Sequence, residues 1–369
     1  MFKETTKNQR TIAAVIALVA GIYFVAFAPT QLMWTLKHAI EAVMERLIPF
    51  DPDFYTAVPI LGVTAGINML LIAFAGSLMI IVTRSIYKGS LESRAIAFGA
   101  SGMAAVIGMV SFIPWMVLVV SDYSQGPVPG IPAPPADQSA TPPVLIIMVV
   151  GLISYFSLLL LDKDKIKDKI LKSIIYLAIG VVAGMVFMNA QHGVRYFNFI
   201  PEYQTETVDT YSPYSNVYTN LDHYDAIALT TISQKQVDNL KADTPVDIVR
   251  KYKDPATGKH VVDSVIVKKT EATYNPNTIS LLLGGYGNYI AAYMMMFMMP
   301  FVFLRKKWAY NTMLTVTLFS AIATFQNYFV RGSFEWAVGG IMSLGLFILL
   351  LLPFFKKYLT EEGTEEDKA

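Results

Sequence analysis

Residues 143–172 read PVLIIMVVGLISYFSLLLLDKDKIKDKILK. From Val144 to Leu161 no residue is charged, and from Asp162 to Lys172 lysine and aspartate dominate. A helix needs roughly 20 apolar residues to cross a hydrocarbon core of ~30 Å. An uncharged run of that length ending in a lysine cluster reads as a membrane crossing whose charged end faces the cytoplasm. The same pattern recurs on both sides of this stretch. Lys3, Lys7 and Arg10, then Arg84, Lys88 and Arg94, then Arg305 to Lys307, then Lys356 and Lys357 each abut an apolar run. Short loops on the opposite side carry only Lys37, Arg46 and Arg331.

Eight crossings are therefore expected, at about 11–30, 57–83, 95–121, 143–161, 173–190, 278–304, 308–329 and 335–355. Both termini fall in the cytoplasm, and the setting is a plasma or inner membrane. Composition agrees: 54% of residues are hydrophobic and 15% charged, with a mean hydropathy of +0.46. That balance belongs to integral membrane proteins. The formal net charge is +1, and topology accounts for the basic clusters, which argues against a nucleic-acid partner. The chain has no cysteine; disulfides, thiolate metal sites and covalently attached haem are excluded.

Lys3, Lys7 and Arg10 precede an apolar run ending Ala26-Phe27-Ala28, which has the form of a signal peptide. The run is longer than a usual signal core, and Pro29 would follow the scissile bond, so an uncleaved signal-anchor is the reading adopted. The first unit, 1–190, then holds helices 1–5, an amphipathic helix at about 31–50 on the outer membrane face, and a Pro-rich outer loop at 121–142. In the outer helix Met33, Leu36, Ile40, Val43, Met44 and Leu47 form the apolar stripe, with His38 opposite. Trp34, Trp115 and Trp336 at the outer face and Trp308 at the inner face suggest an aromatic belt.

Residues 191–277 are polar enough to form a small extracytoplasmic α+β domain between helices 5 and 6. Residues 196–224 read as irregular and tyrosine-rich, 226–232 as a strand, 233–241 as a helix, and 246–252 and 260–269 as a hairpin around Asp254 to Gly258. Residues 278–355 hold helices 6–8, and 356–369 form a cytoplasmic acidic tail. The fold class expected is thus an all-α polytopic membrane protein of about eight helices carrying that α+β insertion.

The interior offers little chemistry. Central portions of the spans carry no Asp, Glu, Lys, Arg or His, whereas proton relays and ion paths usually require such groups. No cofactor and no metal is expected. The amides Asn68, Asn189, Asn288, Gln326 and Asn327 read as hydrogen-bonding glue between helices. Gly62 with Gly66, Gly180 with Gly184, and Gly99 with Gly102 mark faces for close helix packing. Gly285-Tyr286-Gly287-Asn288 resembles the core of a potassium filter, but Leu283 stands where a hydroxyl residue is needed, and a single span is the better reading. Consecutive methionines at 294–296 and 298–299 suit adaptable packing better than copper, because they point around the whole helix.

By elimination, the expected role is a non-catalytic scaffold or accessory subunit of a larger membrane complex. Its partners are the lipid bilayer and other membrane subunits, with Tyr203, Tyr211, Tyr214 and Tyr218 as interface residues. The alternative is a transporter or channel for a neutral or amphiphilic solute, which a pocket joining Asn68, Asn288 and Gln326 would support. An enzyme with its site around His192, Asp222 and His223 is the weakest reading, since their spacing matches no nucleophile or metal motif.

Overall fold

The computed structural model describes residues 5–44, 57–116, 142–194, 202–207, 225–228, 246–253, 260–273, 276–331 and 334–360. Helices run α1 Lys7–Ala26, α2 Ala28–Ala42, α3 Ala57–Tyr87, α4 Leu91–Trp115, α5 Val144–Leu161 and α6 Ile166–Val194. After the strand segments come α7 Pro276–Val302, α8 Lys307–Arg331, α9 Phe334–Leu351 and the short α10 Pro353–Leu359.

Among the residues whose side chains are described the protein is all-helical, and the expected fold class is corrected in two respects. Among the described residues seven helices, not eight, are long and apolar enough to cross a membrane: α1, α3, α4, α5, α6, α8 and α9. Such a set suits a multi-pass integral membrane protein in contact with lipid. The expected sixth crossing, α7, is helical but falls outside the seven. Gly284, Gly285, Gly287, Asn288, Tyr286, Tyr289 and Tyr293 dilute its apolarity, and it compensates by packing against α6, α8 and α4.

The second correction concerns 191–277, where an α+β domain is not supported. What is described there is backbone alone: β1 Glu202–Thr207, β2 Asp225–Ala228, β3 Val246–Lys253 and β4 His260–Thr273, in the antiparallel order β2-β1-β4-β3. The expected helix at 233–241 lies outside the described residues. Strand β1 falls in the segment read as irregular, pairing Tyr203 with Ile227 on one side and with Ala272 on the other. Its partners are remote in sequence, so local periodicity carries no trace of the pairing. The Pro-rich loop, apart from Pro142, and the acidic tail beyond Thr360 also lie outside the described residues.

Helix α4 sits at the centre and buries most of its surface, including Phe98, Met103, Ile107 and Val110. Close crossings surround it. A Cβ at Gly99 would stand 2.5 Å from the Met299 carbonyl oxygen and from Pro300 Cα, so α4 meets α7 backbone to backbone. At Gly108 and Gly151, α4 and α5 meet in the same way, each glycine facing the other helix's main chain. Gly21 and Gly76 form a reciprocal notch between α1 and α3, each 3 Å or closer to the other's carbonyl oxygen if given a Cβ (2.9 and 2.7 Å). Glycine permits such approaches, and dispersion across the contact replaces the hydrophobic drive that lipid does not supply.

Helix α1 starts at a capping box, in which Gln9 N–H donates to Thr6 Oγ1 at 3.3 Å and Thr6 N–H donates to Gln9 Oε1 at 3.0 Å. Only Phe27 separates it from α2, and Pro29 in the first turn fits a helix start. The amphipathic reading of α2 is rotated in the structure. Leu32, Thr35, His38, Ala39 and Ala42 are buried, while Met33 and Met44 are exposed. His38 Nδ1 lies 2.9 Å from the Trp34 carbonyl, and its ring stacks on the Trp34 indole. The buried side packs against Leu61 of α3 and Trp115. Trp115 and Trp336 are thus core residues, unlike the half-exposed Trp308, and the full aromatic belt is corrected accordingly.

Candidate functional site

Two polar constellations lie inside the helical body. The first joins the N-terminal turns of α4 and α6 to the α5–α6 turn. Ser90 caps α4, accepting from Ser93 N–H at 3.2 Å. One turn on, the Arg94 guanidinium is ion-paired with Asp162, the residue that ends α5. Lys172 Nζ, two turns into α6, donates to Asp162 Oδ2 at 3.0 Å and to Asp164 Oδ2 at 2.5 Å. All four side chains are almost wholly buried, with Lys172 at 1% and Arg94 at 3% relative exposure. Charges this deep are tolerated only when paired and hydrogen-bonded, and two cations against two carboxylates leave the cluster formally neutral.

Aromatic rings close the cluster toward the middle of α4 and α6. Lys172 Nζ lies 5.8 Å from the Phe98 ring centroid. Phe98 stacks on Tyr155 at 4.3 Å and meets Tyr176 and Phe303 edge-on at 5.2 and 5.5 Å. The Tyr176 hydroxyl donates to the Met299 carbonyl at 3.1 Å, beside the Gly99 crossing.

The neighbouring turns are fastened to the same end of the bundle. Lys306 pairs with Glu92 at 3.5 Å. Arg305 takes a positive φ of 59° and donates to the carbonyls of Lys357, Tyr358 and Thr360 at 3.2, 2.9 and 3.1 Å, closing the C-terminus of α10. Burial, with the Asp164 and Asp168 carboxylates nearby, pushes the Tyr358 phenol above its ordinary range and keeps it neutral. The Arg10 guanidinium packs against Gly89, whose φ of 97° makes the α3–α4 turn.

The second constellation is uncharged and lies between α6, α7, α8 and α9. Thr324 Oγ1 donates to Asn288 Oδ1 at 2.8 Å, the Ser320 and Ser343 hydroxyls meet at 2.9 Å, and Asn189 Nδ2 donates to the Glu335 carbonyl at 3.3 Å. Asn327 fills the space over Gly284, and Asn189 the space over Gly339. The residues resembling a potassium filter are continuous helix, with Gly285 pressed on the Gly193–Val194 backbone and Gly287 on Ala323 and Phe319.

The structure does not bring Asn68, Asn288 and Gln326 together. Asn68 of α3 donates to Ser111 of α4 at 3.0 Å, Asn288 is paired with α8, and Gln326 is exposed. Asn68 instead lines a cleft of about 30 Å³ with Thr35, Thr64, Ser111, Trp115 and Gln191. Asn68 Oδ1, Trp115 Nε1 and Gln191 Nε2 are buried there without a hydrogen-bond partner among the described residues.

Of the glycines singled out in the sequence, Gly99 faces the α7 backbone and Gly102 the Tyr176 ring. Gly180 faces Val106 and Gly184 faces Met109, both through side chains, whereas Gly62 and Gly66 have nothing within 4 Å of an added Cβ. Tyr203 lies on β1. Tyr211, Tyr214, Tyr218, Asp222 and His223 lie outside the described residues, as does the His192 side chain. Met295, Met296, Met298 and Met299 are buried and Phe297 is partly exposed, which scatters the thioethers around α7. Among the described residues no group of three or more histidine and carboxylate side chains is placed to hold a metal ion.

The ion cluster is what reading the sequence missed. Lysines beside a span read as orientation signals, and that reading hid Lys172 among the exposed Lys163, Lys165 and Lys167. The available signal was the company it keeps. Lys172 sits between Leu171 and the Ile174-Ile175 pair, and Arg94 heads the run Ala95-Ile96-Ala97-Phe98. A charge embedded in an apolar face requires a buried countercharge, and the aspartates interleaved at 162 and 164 supply it. Compared with known protein families, with curated proteins and with solved structures, the chain matches none.

Proposed function

We propose that this chain is a non-catalytic subunit of a larger membrane assembly, with both termini cytoplasmic in a plasma or inner membrane. The observation that carries the reading is the commitment of its buried charges. Arg94, Asp162, Asp164 and Lys172 satisfy one another and fasten three helices, which is a scaffolding task. The orientation rests on the lysine and arginine clusters at the turns 88–90, 162–165 and 303–306, and it takes α7 to cross as well, because the seven most apolar helices alone would put the termini on opposite sides. It leaves 121–142 and 191–277 on the outer side, where Tyr203, Tyr211, Tyr214 and Tyr218 offer broad amphipathic rings to a partner.

Native mass measurement after extraction in mild detergent is the test. A stable complex with other chains is the expected result. Alanine at the four tyrosines should release those chains while membrane insertion persists. A lone monomer or homomer would sink the proposal. The second reading is transport of a neutral or amphiphilic solute, which the unpaired amide and indole groups around the small α2–α3–α4–α6 cleft favour. Its 30 Å³ has room for about a water or two, so transport would need that cleft to open.

A further inference from the structure

An apolar cleft of about 260 Å³ opens between α4, α5 and α6. Gly102, Ala105 and Gly180 form its floor, and Leu152, Phe156 and Leu177 stand at its rim. For scale, an aliphatic cavity of about 150 Å³ accommodates a benzene molecule. Its floor is closely packed: a Cβ on Gly102 would run into the Tyr176 ring and one on Gly180 into Val106, so α4 and α6 meet tightly beneath the cleft. Its wall on α6 does not stop at the cleft. Gly180, Leu177 and Ser173 are followed on the same face, at helical spacing, by Lys169 and Lys165.

We infer that this cleft and its two lysines bind an anionic phospholipid of the leaflet at the Lys165 end. The acyl chain lies in the cleft between α4, α5 and α6, and the headgroup phosphate meets Lys169 and Lys165. Distances along the helix suit that division. At ~1.5 Å per residue, Lys169 lies about 6 Å and Lys165 about 12 Å beyond Ser173, the last cleft residue.

Charge complementarity identifies the headgroup. Asp162 and Asp164, the carboxylates of the turn, are already committed to Arg94 and Lys172. That leaves Lys163, Lys165, Lys167 and Lys169 against Asp168 alone in the segment 163–169. Lys169 Nζ reaches across to α5 one turn beyond Phe156 of the rim, donating to the Leu160 carbonyl at 3.0 Å. An ammonium has three donors, so further N–H groups of Lys169 remain for a phosphate oxygen. Lys167 turns away, its Nζ lying 5.2 Å from the Phe354 ring centroid. Basic pockets between membrane helices are a recurrent form of anionic-lipid site.

The test uses the full chain reconstituted in vesicles of equal parts phosphatidylcholine and phosphatidylglycerol. Lipid retained after mild detergent extraction is then read by native mass spectrometry. Wild type should retain phosphatidylglycerol in preference to phosphatidylcholine. Lys165→Gln and Lys169→Gln should each weaken that preference roughly fivefold, and Lys167→Gln should leave it unchanged. Leu152→Trp, which fills the rim, should reduce retention of either lipid. Lys165 and Lys167 are exposed and Lys169 is partly exposed, and none of the three lies in the core. Equal retention of the two lipids by wild type, or a preference that survives both lysine substitutions, would overturn the headgroup assignment and return the lysines to topology alone. Unchanged retention in Leu152→Trp would overturn the assignment of the cleft.

Discussion

The two halves of the helical body are held together by different chemistry. Where α4, α5 and α6 meet, four buried charges converge within one cluster. Where α7, α8 and α9 meet, amides and hydroxyls pair singly across each contact. A charged cluster in a low-dielectric interior is a collective object, because losing any member strands the others. Single neutral hydrogen bonds between membrane helices act almost independently and stabilise by about 0.6–2 kcal/mol. The first half should therefore fail sharply on substitution and the second should fail by degrees.

The largest effect is expected for Lys172→Met. It keeps the shape of the stem but removes the cation that bridges Asp162 and Asp164. Removing one partner of a buried ion pair costs about 3–5 kcal/mol. Thermal unfolding in detergent should show a large fall in midpoint. Combining Lys172→Met with Asp164→Leu should recover much of that loss, since paired apolar replacement of a buried ion pair is often neutral. If the double variant were as unstable as the sum of the two single ones, the cluster would not be acting as a unit.

Next comes the contrast between two glycines that look alike in the sequence. Gly99→Ala drives a methyl into the α7 backbone at Met299 and Pro300, which cannot yield as a flexible side chain can. Overpacking of this kind costs about 1–3 kcal/mol. Gly62→Ala meets nothing, and relief of the glycine's poor helix propensity should stabilise α3 by up to ~1 kcal/mol. The two changes should move the unfolding midpoint in opposite directions.

That contrast shows which features were legible beforehand. Helical periodicity, span length and charge asymmetry are local, and they located α1, α3 to α6, α8 and α9 with ends displaced by up to about seven residues. Which face of a span meets protein is set by remote partners. Hence Gly62 and Gly99 carry the same local signature and have opposite surroundings, and α2 buries His38 where a stripe count buried Met33. Strand β1 and the Lys172 cluster were hidden for the same reason, since each depends on residues far along the chain. The sequence offers the amides as glue between helices but not their partners, and Gln326 among them is exposed. Asn68 reaches Ser111 and Asn288 reaches Thr324, rather than one another.

A smaller effect tests the uncharged half. Thr324→Val removes the hydroxyl that donates to Asn288 and retains the branched shape. Destabilisation of about 1 kcal/mol is expected. A loss as large as that of Lys172→Met would mean that the Asn288, Ser320 and Ser343 groups also form one cooperative network, and the contrast between the halves would fall.

The smallest effect should come from the same end of the molecule as the largest. Lys306 and Glu92 are ion-paired at 3.5 Å, only two residues from Arg94 along α4, but their side chains are 42% and 69% exposed. Water and salt screen such a pair, and holding two long side chains in one geometry offsets much of the attraction. Glu92→Gln should therefore change stability by under ~1 kcal/mol, and the change should vanish as salt is raised. The Lys172→Met penalty should persist at the same salt concentration, because solvent does not reach that cluster. A salt-insensitive loss of several kcal/mol in Glu92→Gln would show that burial is not what separates the two ion pairs, and that the whole end of the bundle responds as one electrostatic unit.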